Sequence, residues 1–264
     1  FFVFSSALRR SRAEAVCATI LANMKNKVKQ SLKMVLENMK DEDVFGNKVL
    51  YEMCEKSRLH ENADVINGKV WLIGRSYAVA IERGKRRKNT IEKRTVINDD
   101  LYSNVHHIFQ NKKYYQDFDK DLAKVNNREV SLESLGEVLK IHKKLTESIE
   151  KFISEFGKNE PDKKRSFCSK YLHFHARNSF FIFDSRSKSS LNSLMKEAGL
   201  EARFKKERAN LKNLEGDSEY KEFCVKSLIL REELQKQFKL KPKLNTRQID
   251  DLLISMANEK LRTL

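Results

Sequence analysis

Two prolines and eight glycines in 264 residues leave the chain few places where a helix must stop. Proline removes a backbone donor and clashes with the preceding turn, and glycine is the poorest of the ordinary helix formers. Their scarcity beside abundant Leu, Lys, Glu and Ala favours helix over strand, so the expected fold class is mainly α. Hydrophobic residues make up 40% of the chain, enough to bury a core, while 34% charged residues keep the surface wet. A disordered tail is excluded on the same ground.

The charged residues are unevenly signed: 53 Lys and Arg stand against 37 Asp and Glu, a formal charge of +16. Such an excess suits a polyanion, because each neutralised phosphate releases counterions and adds affinity without reading sequence. The competing explanation is a lysine-rich chain that merely solvates its helices. Cys17, Cys54, Cys168 and Cys224 are far apart and form no CxxC pair, which points to reduced, packed thiols rather than a zinc ribbon or disulfide framework. There is no run of about 18 apolar residues, and the opening FFVFSSALRR is too short an apolar stretch for a secretory signal. The first residue is not Met, so an upstream piece is expected to be missing. The expectation is a cytoplasmic monomer with no membrane partner.

Along the chain, apolar residues recur at helical spacing from Ala15 to Val35, and DEDVFGN then interrupts them. A second helical stretch, Val49 to Leu59, leads to the most apolar segment, GKVWLIGRSYAVAIER, residues 68–83. Its Val70, Trp71, Leu72, Ile73, Tyr77, Val79, Ala80 and Ile81 fall almost all the way round a helical wheel, which predicts a buried central helix. On such a helix Arg75 needs a carboxylate or phosphate to offset desolvation. Gly84 is expected to end it, placing Arg86 and Arg87 of the following basic cluster, residues 82–94, on a loop that can reach phosphates. The alternative for that cluster is a solvated loop.

Residues 135–153 carry one clear amphipathic helix, with Leu135, Val138, Leu139, Ile141, His142, Leu145, Ile149, Phe152 and Ile153 on its apolar stripe. GKNEPDKKR then breaks the pattern, and three or four more helices are expected from Arg165 onwards. The last opens with NTRQ, in which Asn245 and Gln248 form a capping box. No repeat or linker forces a boundary. The expected organisation is one helical domain over 1–264, with helical subdomains of about 1–156 and 157–264 and a cleft between them as its finer form.

The most informative stretch is SFCSKYLHFHARNSFFIFDSRSKSSL, residues 166–191. On a helix from Ser166, one face holds Phe167, Cys168, Tyr171, Leu172, Phe174 and His175. The other holds Ser166, Ser169, Lys170, His173 and Arg177, expected to face outward. His173 and His175 then point about 160° apart, so they do not chelate one metal; a strand would allow it, with Asp184 joining, but the stripe fits a helix better. His175 is expected in the core. After Asn178 come four apolar residues and then Asp184, an acid that either caps the next helix or occupies a partly buried polar site. A carboxylate at a helix N-terminus is also one that backbone amides hold ionised.

This arrangement resembles the active-site region of the helix-hairpin-helix DNA glycosylases, in which an Asp opening a helix carries the chemistry and the preceding hairpin binds phosphates. SFCSKYLHFHARNSFFIFDS is also similar to prokaryotic members of that fold, some of which excise modified bases from phage DNA, and WLIGRSYAVAIER and RQIDDLLISMA look like further blocks. Together the blocks span about 60 residues. The pattern departs at the hairpin: Leu-Pro-Gly-x-Gly is replaced by GKNEPDKKR, and Arg165 or Ser166 falls where bifunctional members keep a Schiff-base Lys. The resemblance therefore implies a multi-helix glycosylase fold with a degenerate hairpin. The implied enzyme is monofunctional and hydrolytic, needs no cofactor or metal, and acts on double-stranded DNA, phage DNA with modified bases included.

By that resemblance Asp184 is the catalytic carboxylate. Lys163, Lys164, Arg165, Lys170, Arg186, Lys188, Arg86 and Arg87 would contact DNA, and Trp71, Tyr171, His173 and Arg75 would line the base pocket or wedge into the stack. Core packing is the competing fate of each aromatic. Three rival functions remain at this stage: a non-catalytic nucleic-acid-binding protein with Asp184 as an ordinary cap, a nuclease using His173 or His106 and His107 as acid/base groups, and a helical interaction protein.

Overall fold

The computed structural model of the chain describes residues 26, 28–36, 45–82, 100–125, 127–155 and 163–262, and among these the regular structure is helical, with no strand. The helices are α1 (Phe45–Lys56), α2 (Ala63–Ser76), α3 (His107–Gln110), α4 (Phe118–Val125), α5 (Leu135–Glu155), α6 (Arg165–His175), α7 (Ser185–Glu197), α8 (Glu201–Asn210), α9 (Ser218–Phe238) and α10 (Thr246–Arg262). Residues 28–36 and 100–104 are also helical, and buried Val28, Leu32 and Val35 mark the inward stripe of the first. The expected mainly-α class holds among the described residues, with five helices where three or four were expected beyond Arg165. None of them is long and apolar enough to cross a membrane.

Amphipathic periodicity places α5 as expected, with all nine residues of its predicted stripe buried. The start of α10 also follows the sequence: Asn245 Oδ1 accepts the Gln248 N–H at 2.8 Å and Gln248 Oε1 accepts the Asn245 N–H at 2.9 Å, the reciprocal pair of a capping box. The central helix, however, is α6 rather than residues 68–83. It packs against α1, α2 and α5, and every residue from Phe167 to Phe174 is buried. Its companion α7 packs against α9 and α10.

The apolar segment after Gly68 does not run on as one helix. It stops at Ser76, Ala78 takes a left-handed φ of 53°, and the chain folds back so that Ala80 and Ile81 are buried while Trp71 is 47% exposed. Gly74 permits the fold-back, since a Cβ there would meet the Ala80 Cα at 3.2 Å. Arg75 does find a carboxylate, Glu82, at 2.8 Å, with 42% of its own side chain still exposed.

Burial of both faces of α6 has a specific cause. Between α6 and α7 runs Ser179–Phe183, buried but neither helix nor strand, so its backbone polar groups need other partners. Polar side chains of α6 provide them. Phe183 N–H donates to Ser169 Oγ at 3.0 Å, His173 Nδ1–H donates to the Phe180 carbonyl at 2.9 Å, and Lys170 Nζ donates to the Phe183 carbonyl at 3.4 Å. From α9, the Tyr220 hydroxyl donates to the Phe181 carbonyl at 2.9 Å. The expected outward face of α6, Ser169, Lys170 and His173, is therefore inward, because its hydrogen bonds go to backbone instead of water.

Ser169→Ala removes the acceptor of the Phe183 N–H without removing volume from the apolar packing. A buried donor left unpaired costs about 1–3 kcal/mol. The variant should lose that much in urea denaturation, and an unchanged midpoint and slope would show that the Ser169 bond does not hold the segment.

Candidate functional site

Asp184 is the N-cap of α7, extended at φ −150° and ψ 172°, with one carboxylate oxygen accepting the Ser187 N–H at 2.8 Å. Its other oxygen lies 3.5 Å from Lys170 Nζ, and 25% of the side chain remains exposed. Lys170 reaches it from α6 with its ammonium also donating to Ser166 Oγ at 3.0 Å. One edge of a positioned carboxylate thus meets solvent while the rest is anchored.

A second acid backs the first. Asp250 of α10 is buried, accepts the Ser187 hydroxyl at 2.9 Å and lies 3.4 Å from Arg247 Nη1. Burial pushes its carboxyl up to about 6, with Arg247 opposing and the nearby Asp184 charge adding to the rise. Burial also pulls the Lys170 ammonium below the usual lysine range, against Asp184 and Asp250, which favour its charged form. Two acids and two cations, Lys170 and Arg247, therefore share a poorly solvated space. Asp250 was not among the sequence candidates. The signal was present in RQIDDLLISMA, where Asp250 sits one turn after buried Thr246 and in register with Leu253, on the inward stripe of α10.

The other candidates stand in different environments. Lys170, Tyr171 and His173 are buried, which corrects their placement as surface or pocket residues. Tyr51 OH donates to His173 Nε2 at 2.8 Å, and with Nδ1–H held by Phe180 the ring is fully bonded; burial lowers it to about 3, so it is neutral and not poised for acid/base work. Arg165 is not free for phosphate: Nε donates to Asp217 at 2.6 Å and Nη1 lies 2.8 Å from Glu219. Lys188 also pairs with Glu219, and Arg186 donates to Asn258. Lys163 stays more than half exposed at 3.5 Å from Asp217, and Lys164 directly precedes α6. Trp71 and Arg75 share the outer side of α2. Arg86 and Arg87 lie outside the described residues, as do most of GKNEPDKKR and Cys17.

His106 and His107 place their rings 4.1 Å apart, with burial lowering His106. His175, the last residue of α6, meets Lys69 of α2 with both nitrogens bonded, Nδ1–H to the Tyr171 carbonyl at 2.8 Å and Nε2 to Lys69 Nζ at 3.2 Å. Cys54, Cys168 and Cys224 are buried free thiols. Among the described residues no three His, Cys, Asp or Glu side chains are grouped to hold a metal ion.

The raised Asp250 carboxyl has a signed consequence. Its folded value, about 6, exceeds the ordinary 3.8, so the folded state binds more protons between the two and stability falls as pH rises from about 4 to about 6. Asp250→Asn keeps an acceptor for Ser187 and removes that step. Relative to the native chain, the variant should gain on the order of 3 kcal/mol in denaturant unfolding when the pH is raised from 4 to 7. A difference that does not change with pH would place the ionisation of Asp250 near its ordinary value.

No protein-family model, no curated protein and no solved structure matches the chain.

Proposed function

We propose that the chain is a monofunctional DNA N-glycosylase that hydrolyses the glycosidic bond of a damaged or modified base and leaves an abasic site. The observation that carries this reading is the anchored, partly exposed Asp184 carboxylate at the N-terminus of α7. Cleavage of the bond between C1′ and the base nitrogen builds positive charge on the sugar, which a fixed carboxylate stabilises. Water then adds its oxygen to C1′, and its proton passes through the carboxylate to the departing base. Reaching that bond requires the nucleotide to leave the stack, at a cost of a few kcal/mol. The net charge of +16 supports affinity for the phosphate backbone.

One observation favours a second reading, a nucleic-acid-binding protein without catalysis. Ser187 N–H and Lys170 between them engage both Asp184 oxygens, as a cap and a structural ion pair would. The nuclease reading through His173 loses support, because that ring is buried and neutral.

Incubated with DNA bearing damaged or hypermodified bases, the protein should release free base and leave alkali-labile sites. Asp184→Asn keeps the cap and the volume; it should lower base release by ~100-fold or more while DNA binding is retained. No free base from any such substrate removes the enzyme reading. Strand cutting that needs a metal and no alkali would instead identify a nuclease.

A further inference from the structure

A second polar system lies apart from Asp184. Tyr171 OH donates to His60 Nε2 at 2.7 Å, and His60 Nδ1–H donates to Asp119 Oδ1 at 2.5 Å. The His60 backbone N–H takes the other oxygen, Oδ2, at 2.8 Å. Beside this relay Lys69 is fully buried, with the Ser57 carbonyl and His175 as its hydrogen-bond partners and, among the described residues, no carboxylate within 4.0 Å. Burying so many ionisable groups is seldom the most stable solution, since apolar residues of similar volume often do as well or better. What this system achieves is to hold one carboxylate. Burial alone would raise the Asp119 carboxyl, yet the two hydrogen bonds from His60 outweigh it and set it below the usual range, so it is ionised.

Asp119 is also where the system reaches solvent, with 30% of its side chain exposed. It opens into a cleft of about 540 Å³ between α1, α4 and the end of α6. Neither Asp184, Lys170, Ser187 nor Asp250 lines that cleft. Tyr51 and Phe174 form its aromatic wall, ring centroids 4.8 Å apart, with the Arg177 guanidinium 5.7 Å from the Tyr51 ring. Lys48 and Arg58 stand exposed on its rim, and among the described residues neither has a carboxylate within 4.0 Å; Glu52, paired with Lys56 at 3.3 Å, and exposed Glu55 line the same cleft.

These features select a ligand. A carboxylate accepts hydrogen bonds and donates none, so the group that meets Asp119 carries N–H. Aromatic walls favour a planar ring. Two unpaired cations at the rim favour an anion, and phosphate suits them best. We propose that this cleft binds a nucleotide, with an amino-bearing base donating to Asp119 against Tyr51 and Phe174 and the phosphate meeting Lys48 and Arg58. The nucleotide is either free or the terminal residue of a strand, and the site acts independently of Asp184.

The test is equilibrium binding of AMP, adenosine and ribose 5-phosphate to the full chain by calorimetry. AMP should bind most tightly, and each fragment should bind about tenfold or more weakly, because each keeps only one end of the recognition. Asp119→Asn should weaken AMP and adenosine by about tenfold and spare ribose 5-phosphate; Arg58→Ala should weaken AMP and ribose 5-phosphate and spare adenosine. Arg58 is exposed, so its variant tests the site even where Asp119→Asn fails to fold. A 5′-phosphorylated oligonucleotide that binds more tightly than AMP, with the same response to both variants, assigns the strand end; otherwise the free nucleotide is the ligand. No AMP binding at millimolar concentration, or binding that Arg58→Ala leaves unchanged, overturns the proposal. Asp184→Asn should not alter AMP binding, so absence of base release and absence of nucleotide binding are separate results.

Discussion

The fold depends on how five residues without regular structure, Ser179–Phe183, are kept in the core. Their side chains are apolar enough to drive burial, but their backbone has neither a helix nor a sheet to satisfy it. α6 resolves this by turning Ser169, Lys170 and His173 towards the segment, and α9 contributes the Tyr220 hydroxyl. The same contacts fix the position of Asp184, which follows Phe183 directly. The candidate site is thus a product of core hydrogen bonding: the lysine beside Asp184 also ties down the residue before it.

This explains which parts of the structure were legible in the sequence. The stripe of α5 and the box at Asn245 and Gln248 depend on near neighbours in the chain, and local spacing reported both. Asp184 was legible as a cap for the same reason. The burial of Lys170 and His173 was not, because their backbone partners Phe183 and Phe180 lie thirteen and seven residues on, Tyr51 lies 122 residues before His173, and a polar face at helical spacing ordinarily faces water. Residues 68–83 misled in the opposite direction. Their apolar positions close a wheel only if the helix continues, and the turn at Ala78 carries no glycine or proline at its left-handed residue. The link between His60 and Asp119 spans 59 residues and has no local signature at all, since Asp119 reads as an ordinary acid in the first turn of α4.

Asp184 and Asp119 show two ways of holding a carboxylate. Asp184 has a backbone amide and a buried cation, with a second buried acid nearby whose own ionisation is opposed by burial. Asp119 has two donors from one histidine, itself held by a tyrosine hydroxyl. The first environment contains competing charges. The second contains a donor chain through His60, with buried Lys69 beside it, that orients the carboxylate and keeps it ionised to accept from a donor group.

The net positive charge bears on these sites less directly than its size suggests. Around Asp184 the cations are spent internally: Lys170 on Asp184, Arg165 and Lys188 on Asp217 and Glu219, Arg247 on Asp250 and Asp251. A paired cation has little counterion atmosphere to exchange with a phosphate, so these contribute little to salt-dependent affinity. Cations without a carboxylate within 4.0 Å among the described residues, such as Lys205 and Lys206 of α8 and Lys212 just beyond it, stand exposed and keep their charge available to a phosphate. On the proposed reading, affinity for a polyanion and the chemistry of Asp184 would rest on separate residues, and a change in one set would leave the other intact.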